Sequence, residues 1–361
     1  RTTIIWDAAT GQALLTLAGH TAEIYSLSFN PAGDRLITAS FDQTAKIWDT
    51  ATGQALQTLT GHTDWVVDAT FSPTGTLAAT GSQDGTAIIW DAESGELLLT
   101  LEAHTGPVNR VAFDATGERL ATSSDDSTAI IWDTASGESL LVLEGHDGPV
   151  YSVAFAPEGD QIATAGLDGT VKLWDAESGE LLDTISAHED WLTDVNFSPD
   201  GAYLAATSRD GTTTLWNIES GNVLTLAGHQ GAVQGLAFNP DSESLATAGV
   251  DGTAKIWTIA GEPELSLSGH TGPVYGVAFN ADGNRLATAS ADGTVRLWDV
   301  APSIDRDAVT GQQLRVLSGH DGPVYDVAFN TAGNRLATAE DDGTVILWNV
   351  VSGRALQTLT E

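Results

Sequence analysis

Eight times in this chain a histidine is followed 28 residues later by a tryptophan. The pairs are His20/Trp48, His62/Trp90, His104/Trp132, His146/Trp174, His188/Trp216, His229/Trp257, His270/Trp298 and His320/Trp348. The chain has only eight histidines, so every one belongs to the series. Spacing held this strictly is the mark of one supersecondary unit repeated, each copy burying its faces against its neighbours. It also leaves no histidine over as an obvious general base.

Each unit parses into four short β-prone runs. In the second, Trp65 to Phe71 (WVVDATF) is apolar and bounded by the turn signal Pro73-Thr74-Gly75. Leu77 to Ser82 follows, then the hairpin signal Asp84-Gly85, where glycine tolerates positive φ. Thr86 to Trp90 and, after Ser94-Gly95, Glu96 to Leu101 complete the unit. These are strands a, b, c and d of an all-β meander. Trp to the next His varies: 14 in five cases, 13 twice, and 22 after Trp298. Length variation is thus confined to the c–d turn and strand d, which a radial arrangement places at its outer rim. The long case, Val300 to Val309, reads as a loop insertion with Pro302 at its base.

Composition excludes several function classes. The absence of cysteine removes disulfides, thiolate catalysis and Cys-based zinc sites. No apolar run approaches a membrane span, and no signal-peptide pattern opens the chain. Net charge is −35, a field that repels nucleic acid and anionic lipid; the acidity reads as solubility or adaptation to salt, with attraction of a basic partner the alternative. The chain begins at Arg1 in mid-repeat and contains no Met, so the expectation is that further sequence precedes it; a cytoplasmic location is expected on the same footing. Lys46, Lys172 and Lys255 each stand two residues before a repeat Trp and read as parts of the repeat.

The Gly-His ending most d–a connections, and the Trp-Asp at 6–7, 48–49, 90–91, 132–133, 174–175 and 298–299, resemble the WD40 repeat. Trp216-Asn217, Trp257-Thr258 and Trp348-Asn349 depart from it, as do Ala103-His104 and Ala187-His188. The resemblance implies a β-propeller and, in each blade, a buried hydrogen-bond set of His, Thr, Asp and Trp. Its members would be His20, Thr38, Asp42 and Trp48; His62, Thr80, Asp84 and Trp90; His146, Thr164, Asp168 and Trp174; and so on around the ring, with Asp342 in the eighth unit. The fifth unit carries Ala206 where the others carry Thr, so its set is expected to be weaker. These sets mimic a catalytic triad, but a nucleophile must be exposed and activated. One imidazole per blade gives no metal cluster, and Asp125-Asp126 and Asp341-Asp342 lack a calcium loop's glycine-punctuated oxygens. The expectation is no catalytic, metal or cofactor site.

Complete a–b–c–d sets begin near Ile24, Val66, Val108, Val150, Leu192, Val233, Val274 and Val324. The reading is an eight-bladed ring of four antiparallel strands per blade over residues 20–361. Residues 1–19 form a partial repeat, with strand c at Thr2 to Trp6 and strand d at Gln12 to Leu17, either surplus or closing. A seven-bladed ring cut from a longer tandem array is the alternative.

WD40 proteins use the face formed by the d–a and b–c loops. Three offsets carry its exposed positions: three and five residues after each His, and one before each hairpin Asp. They place Tyr25, Phe41, Trp65, Tyr151, Leu167, Trp191, Arg209, Tyr275 and Tyr325 around one mouth. Trp65 and Trp191 lie outside the repeat tryptophans, and four of the five tyrosines share one offset. Aromatics with polar tips suit a contact surface. The expected function is a non-catalytic scaffold binding a protein or peptide; the alternative is the sensor or regulatory propeller of a larger signalling protein linked to an NTPase or kinase.

Overall fold

A computed structural model describes residues 16–17, 19–186, 188–301, 311–352 and 354–359. Its β-strands form eight antiparallel sheets in the order a-b-c-d, and these are the blades of one ring. Blade one comprises Ile24–Phe29, Arg35–Ser40, Thr44–Asp49 and Ala55–Thr60. Blade eight comprises Val324–Phe329, Arg335–Glu340, Val345–Asn349 and Arg354–Leu359. Strand a lines the axis and strand d the rim. Burial follows this radial order: strand b is almost wholly buried in every blade, while strand d alternates largely exposed residues with one buried leucine or isoleucine.

The core lies between blades. Val66, Ala69, Phe71 and Trp90 of blade two pack on Ile37, Ala39, Ile47 and Leu59 of blade one. An equivalent layer closes the ring, with Ile24, Leu27, Leu36 and Trp48 of blade one against Ala337, Ala339, Val345 and Leu347 of blade eight. Across that seam Arg335 Nη1 donates to Thr50 Oγ1 at 2.9 Å and Leu27 N–H to Asp326 Oδ2 at 3.1 Å. Eight blades therefore close on one another, and the seven-bladed alternative is set aside. Blade eight draws all four strands from its own repeat. Thr16–Leu17 add a fifth, parallel to Arg354–Leu359, with Thr16 opposite Thr358 and Leu17 opposite Leu359. Thr2 to Trp6, and Pro302 with most of the long insertion, lie outside the described residues.

The hydrogen-bond sets form as the repeat spacing requires. In blade one His20 Nδ1 meets Asp42 Oδ2 at 2.8 Å, His20 Nε2 meets Thr38 Oγ1 at 2.8 Å, and Trp48 Nε1 donates to Thr38 Oγ1 at 2.9 Å. The sets around His62 and His146 repeat this to within a few tenths of an ångström. The aspartate also accepts the backbone N–H of the residue after His, pinning the b–c hairpin to the d–a loop. Burial opposes the aspartate charge, but hydrogen bonds from His20 and Thr44 outweigh it and hold Asp42 far below the usual carboxylate range. The same balance leaves Asp251 and Asp292 at about 2. Burial lowers the pKa of His104, His146, His188, His229 and His270, with their aspartates opposing it only in part.

Two blades depart from the pattern. In the fifth, Ala206 has no hydroxyl, but Thr214 on strand c supplies one, with Oγ1 2.6 Å from His188 Nε2. The imidazole is thus satisfied from the other strand, while the Trp216 indole loses the hydroxyl that its counterparts use. In the eighth, Asp342 is not the partner. Glu340, two residues earlier and fully buried, brings Oε2 to 2.5 Å from His320 Nδ1 and accepts the Gly322 N–H. The longer glutamate side chain spans from the strand b end to the imidazole. Asp342 keeps only a turn role, accepting the Thr344 N–H at 2.9 Å, and burial together with Glu340 pushes its pKa up.

Candidate functional site

The mouth owes its shape to a β-bulge repeated in every blade. In blade one the a–b register steps from Ile24 opposite Ser40 to Ser26 opposite Ala39, leaving Tyr25 as the extra residue. All seven other blades skip the equivalent residue. A bulge interrupts the strict alternation of sides along a strand and re-aims its extra residue. The residues five and six after each histidine therefore both serve the axis, the first at the mouth and the second in the channel. The b–c loop is tied to the same place, because its leading residue donates its N–H to the carbonyl three residues after the histidine: Phe41 to Glu23, Gln83 to Trp65, Arg209 to Trp191.

The three sequence offsets thus converge on one rim. Tyr25, Phe41 and Trp65 form a continuous stack across blades one and two. The Tyr25 and Phe41 centroids are 5.7 Å apart and nearly parallel, and those of Phe41 and Trp65 4.3 Å apart with planes at 10°. Tyr25 and Trp65 remain about half exposed, at 53% and 48%. This stack, with Tyr151, Asn109 and Thr193, encloses about 220 Å³. Trp191 is exposed and carries the Arg209 guanidinium 4.8 Å above its ring. Beyond Tyr25, on blades seven and eight, Tyr275 and Tyr325 meet at 5.4 Å, and the Tyr325 hydroxyl donates to Asp341 at 2.8 Å. Burial and that carboxylate both raise the Tyr325 pKa. Leu167, half-buried, sits in its loop beside Pro149 rather than in the stack.

Below the rim lies a layer that the sequence offsets missed. The residues six after each histidine are Ser26, Asp68, Arg110, Ser152, Asp194, Gly235, Gly276 and Asp326, and six of them border one central cavity of about 410 Å³. Arg110 bridges this space, Nη1 3.8 Å from Asp68 Oδ1 and Nη2 3.7 Å from Asp194 Oδ1. The carboxylates also staple neighbouring blades: Asp68 accepts from Ser26 Oγ at 2.8 Å and from Val111 N–H at 2.9 Å. Burial pushes Asp194 up against the pull of Arg110, and pushes Asp326 up to about 6. The far end of the channel opens into about 600 Å³ bordered by Phe29, Phe71, Phe113, Phe279 and Phe329, which end their inner strands. The signal for the channel layer was present as a fixed offset, but strict alternation would place it on the same side as the buried residue at offset four.

The WD domain, G-beta repeat family model matches residues 11–49, 53–91, 95–133, 137–175, 179–217, 221–258, 261–299 and 311–349. The chain belongs to the WD40 family. Among solved structures, this WD40 propeller resembles the computationally designed Ika8 protein, with a TM-score of 0.81 and 30% identity over 92% of this chain and 98% of that one. Comparison with curated proteins returned no match. Among the described residues no group of acidic, histidine or cysteine side chains is arranged to hold a metal, and no helix is long and apolar enough to cross a membrane.

Proposed function

We propose that this WD40 propeller is a non-catalytic interaction module that docks an extended, basic segment of a protein partner across the d–a/b–c mouth. The observation that carries this is the exposed stack of Tyr25, Phe41 and Trp65 spanning two blades. Large rings left half open to water at the entrance of a cavity gain area and stacking when a partner covers them. Charge supports a basic partner: Asp64, Asp147, Glu189, Asp190 and Asp321 stand exposed on the same loops, with Arg209 their one basic neighbour at the three offsets. The His/Thr/Asp sets offer no nucleophile, since Thr38, Thr80 and Thr164 are fully buried and each already accepts an indole N–H. In this reading residues 20–361 are the working ring and residues 1–19 an addition to it.

The test is a paired Trp65→Ala/Trp191→Ala variant. Both rings are exposed, so the variant keeps the circular dichroism and melting temperature of the parent. Quantitative pull-down from the native lysate should show the captured partners of the parent depleted at least about tenfold. An unchanged capture profile overturns the mouth as the docking surface.

A further inference from the structure

The channel wall is uneven. On blades six and seven the inward position is glycine, Gly235 and Gly276, where other blades carry serine, aspartate or arginine. Those glycines pack closely: a Cβ at Gly235 would stand 2.8 Å from the Tyr275 carbonyl oxygen, and one at Gly276 3.2 Å from that of Tyr325. With no side chain projecting there, a pocket of about 320 Å³ opens under the rim, walled by Tyr25, Tyr275 and Tyr325 and floored by Asp194 and Asp326, with Arg110 at its edge. It is large enough for one long side chain.

The charges in this pocket are unequal. Arg110 is drawn to the Asp68–Asp194 side, and no cationic group among the described residues comes within 4.0 Å of Asp326. Asp326 accepts two backbone N–H groups, from Leu27 and Val327, which hold its carboxylate in place. Three carboxylates thus face one guanidinium, and the least compensated of them borders the open pocket. Tyrosine faces attract a cation, and a cavity with low-dielectric walls strengthens that attraction.

We propose that the pocket between Tyr25, Tyr275 and Tyr325, opened by Gly235 and Gly276, receives one basic side chain of the docked partner, whose cationic head becomes the counter-ion of Asp326. This rests on the docking function proposed above and names the anchor within it. The aromatic stack over blades one and two would then hold the flanking peptide, while the pocket over blades six to eight reads its charge.

The experiment uses the full chain and fluorescent Gly/Ser peptides bearing one central residue: arginine, citrulline or glutamate. Anisotropy titration should show the arginine peptide binding about tenfold more tightly than its neutral isostere citrulline. Asp326→Asn and Tyr275→Leu should each bring that ratio close to one, and Asp326→Glu should retain it. Trp65→Ala/Trp191→Ala should weaken both peptides and leave the ratio intact. Equal binding of arginine and citrulline, a preference for glutamate, or a ratio untouched by Tyr275→Leu overturns the proposal. If Asp326→Asn does not fold, Tyr275→Leu decides, because Tyr275 is a partly exposed rim residue outside the interblade core. A double-tryptophan variant that keeps its native partners while the arginine ratio persists would sink the docking reading alone.

Discussion

Single residues carry the differences between blades. Thr214 is the clearest case, because it rescues His188 in the one blade whose strand b lacks the hydroxyl. Thr214→Val should therefore cost about 1–3 kcal/mol, the penalty of an unsatisfied buried imidazole nitrogen. The same change to Thr213, whose buried side chain has no place in that set, should cost less; chemical denaturation of the two variants makes the comparison. Arg110 is a second case. Arg110→Ala leaves Asp68, Asp194 and Asp326 facing one another without a counter-charge and should destabilise the ring at neutral pH, by less than the about 3–5 kcal/mol of a fully buried pair because Arg110 is partly open to solvent. The pKa values of Asp194 and Asp326 are raised, so these two groups favour the folded state more as pH falls. Lowering the pH through about 6 should shrink the Arg110→Ala penalty as Asp326 takes a proton, which urea titrations at two pH values would show. At this scale the sequence was legible wherever function followed a fixed offset. His20, Asp42, Thr38 and Trp48 could be named once the WD40 resemblance was laid over the repeat spacing. Glu340 could not, since an offset reading selects Asp342; the clue was a charged residue at a position that is serine or glycine in every other unit.

At the scale of strands and turns, spacing said more than composition. The invariant 28 residues from His to Trp hold strands a, b and c at fixed length, and blade one shows why: the imidazole must reach the hairpin aspartate through one ring nitrogen and, through the other, the hydroxyl that also accepts the indole N–H. The lysines read as parts of the repeat serve a local purpose, with Lys46, Lys172 and Lys255 each reaching a hydroxyl on strand d at 3.0–3.3 Å. The bulge of strand a was not legible. Its extra residue changes side-chain direction without changing length, so alternation of apolar and polar residues hides it. That single irregularity concealed the whole channel layer. The leading half-repeat belongs here too. Because blade eight has four strands of its own, removing residues 1–18 should leave the ring intact and the melting temperature nearly unchanged. Size-exclusion and thermal melting of the shortened chain measure this, and a collapse of the fold would show that Thr16–Leu17 are needed for closure.

Across the whole molecule, charge and repetition dominate. A net charge of −35 on one closed ring repels itself, and counter-ions relieve that repulsion. The melting temperature should rise steadily as sodium chloride is increased from low millimolar to physiological ionic strength. Acid acts through the hydrogen-bond sets. Burial depresses five of the histidines, so the folded state holds them neutral, and stability is present above their unfolded value of 6.5 and falls as pH drops below it. The depressed aspartates act lower, losing their contribution as pH falls from 3.8 toward about 2. The melting temperature should thus decline in two stages below neutrality, the first beginning near pH 6.5, with Asp326 and Asp194 opposing weakly. A single decline confined below pH 4 would contradict a neutral buried imidazole in those five sets.

The bulge beside each inner strand has an evolutionary corollary. It sets two consecutive residues of every repeat to work on the same axis at different depths, one at the entrance and one in the passage beneath. A duplicated repeat inherits both as neighbouring codons; the entrance residue is then free to change, while the residue beneath it changes only where its bond to the next blade can be replaced. The ring resembles a lock with paired tumblers, in which new specificities arise by rewriting adjacent letters while the frame stays unchanged.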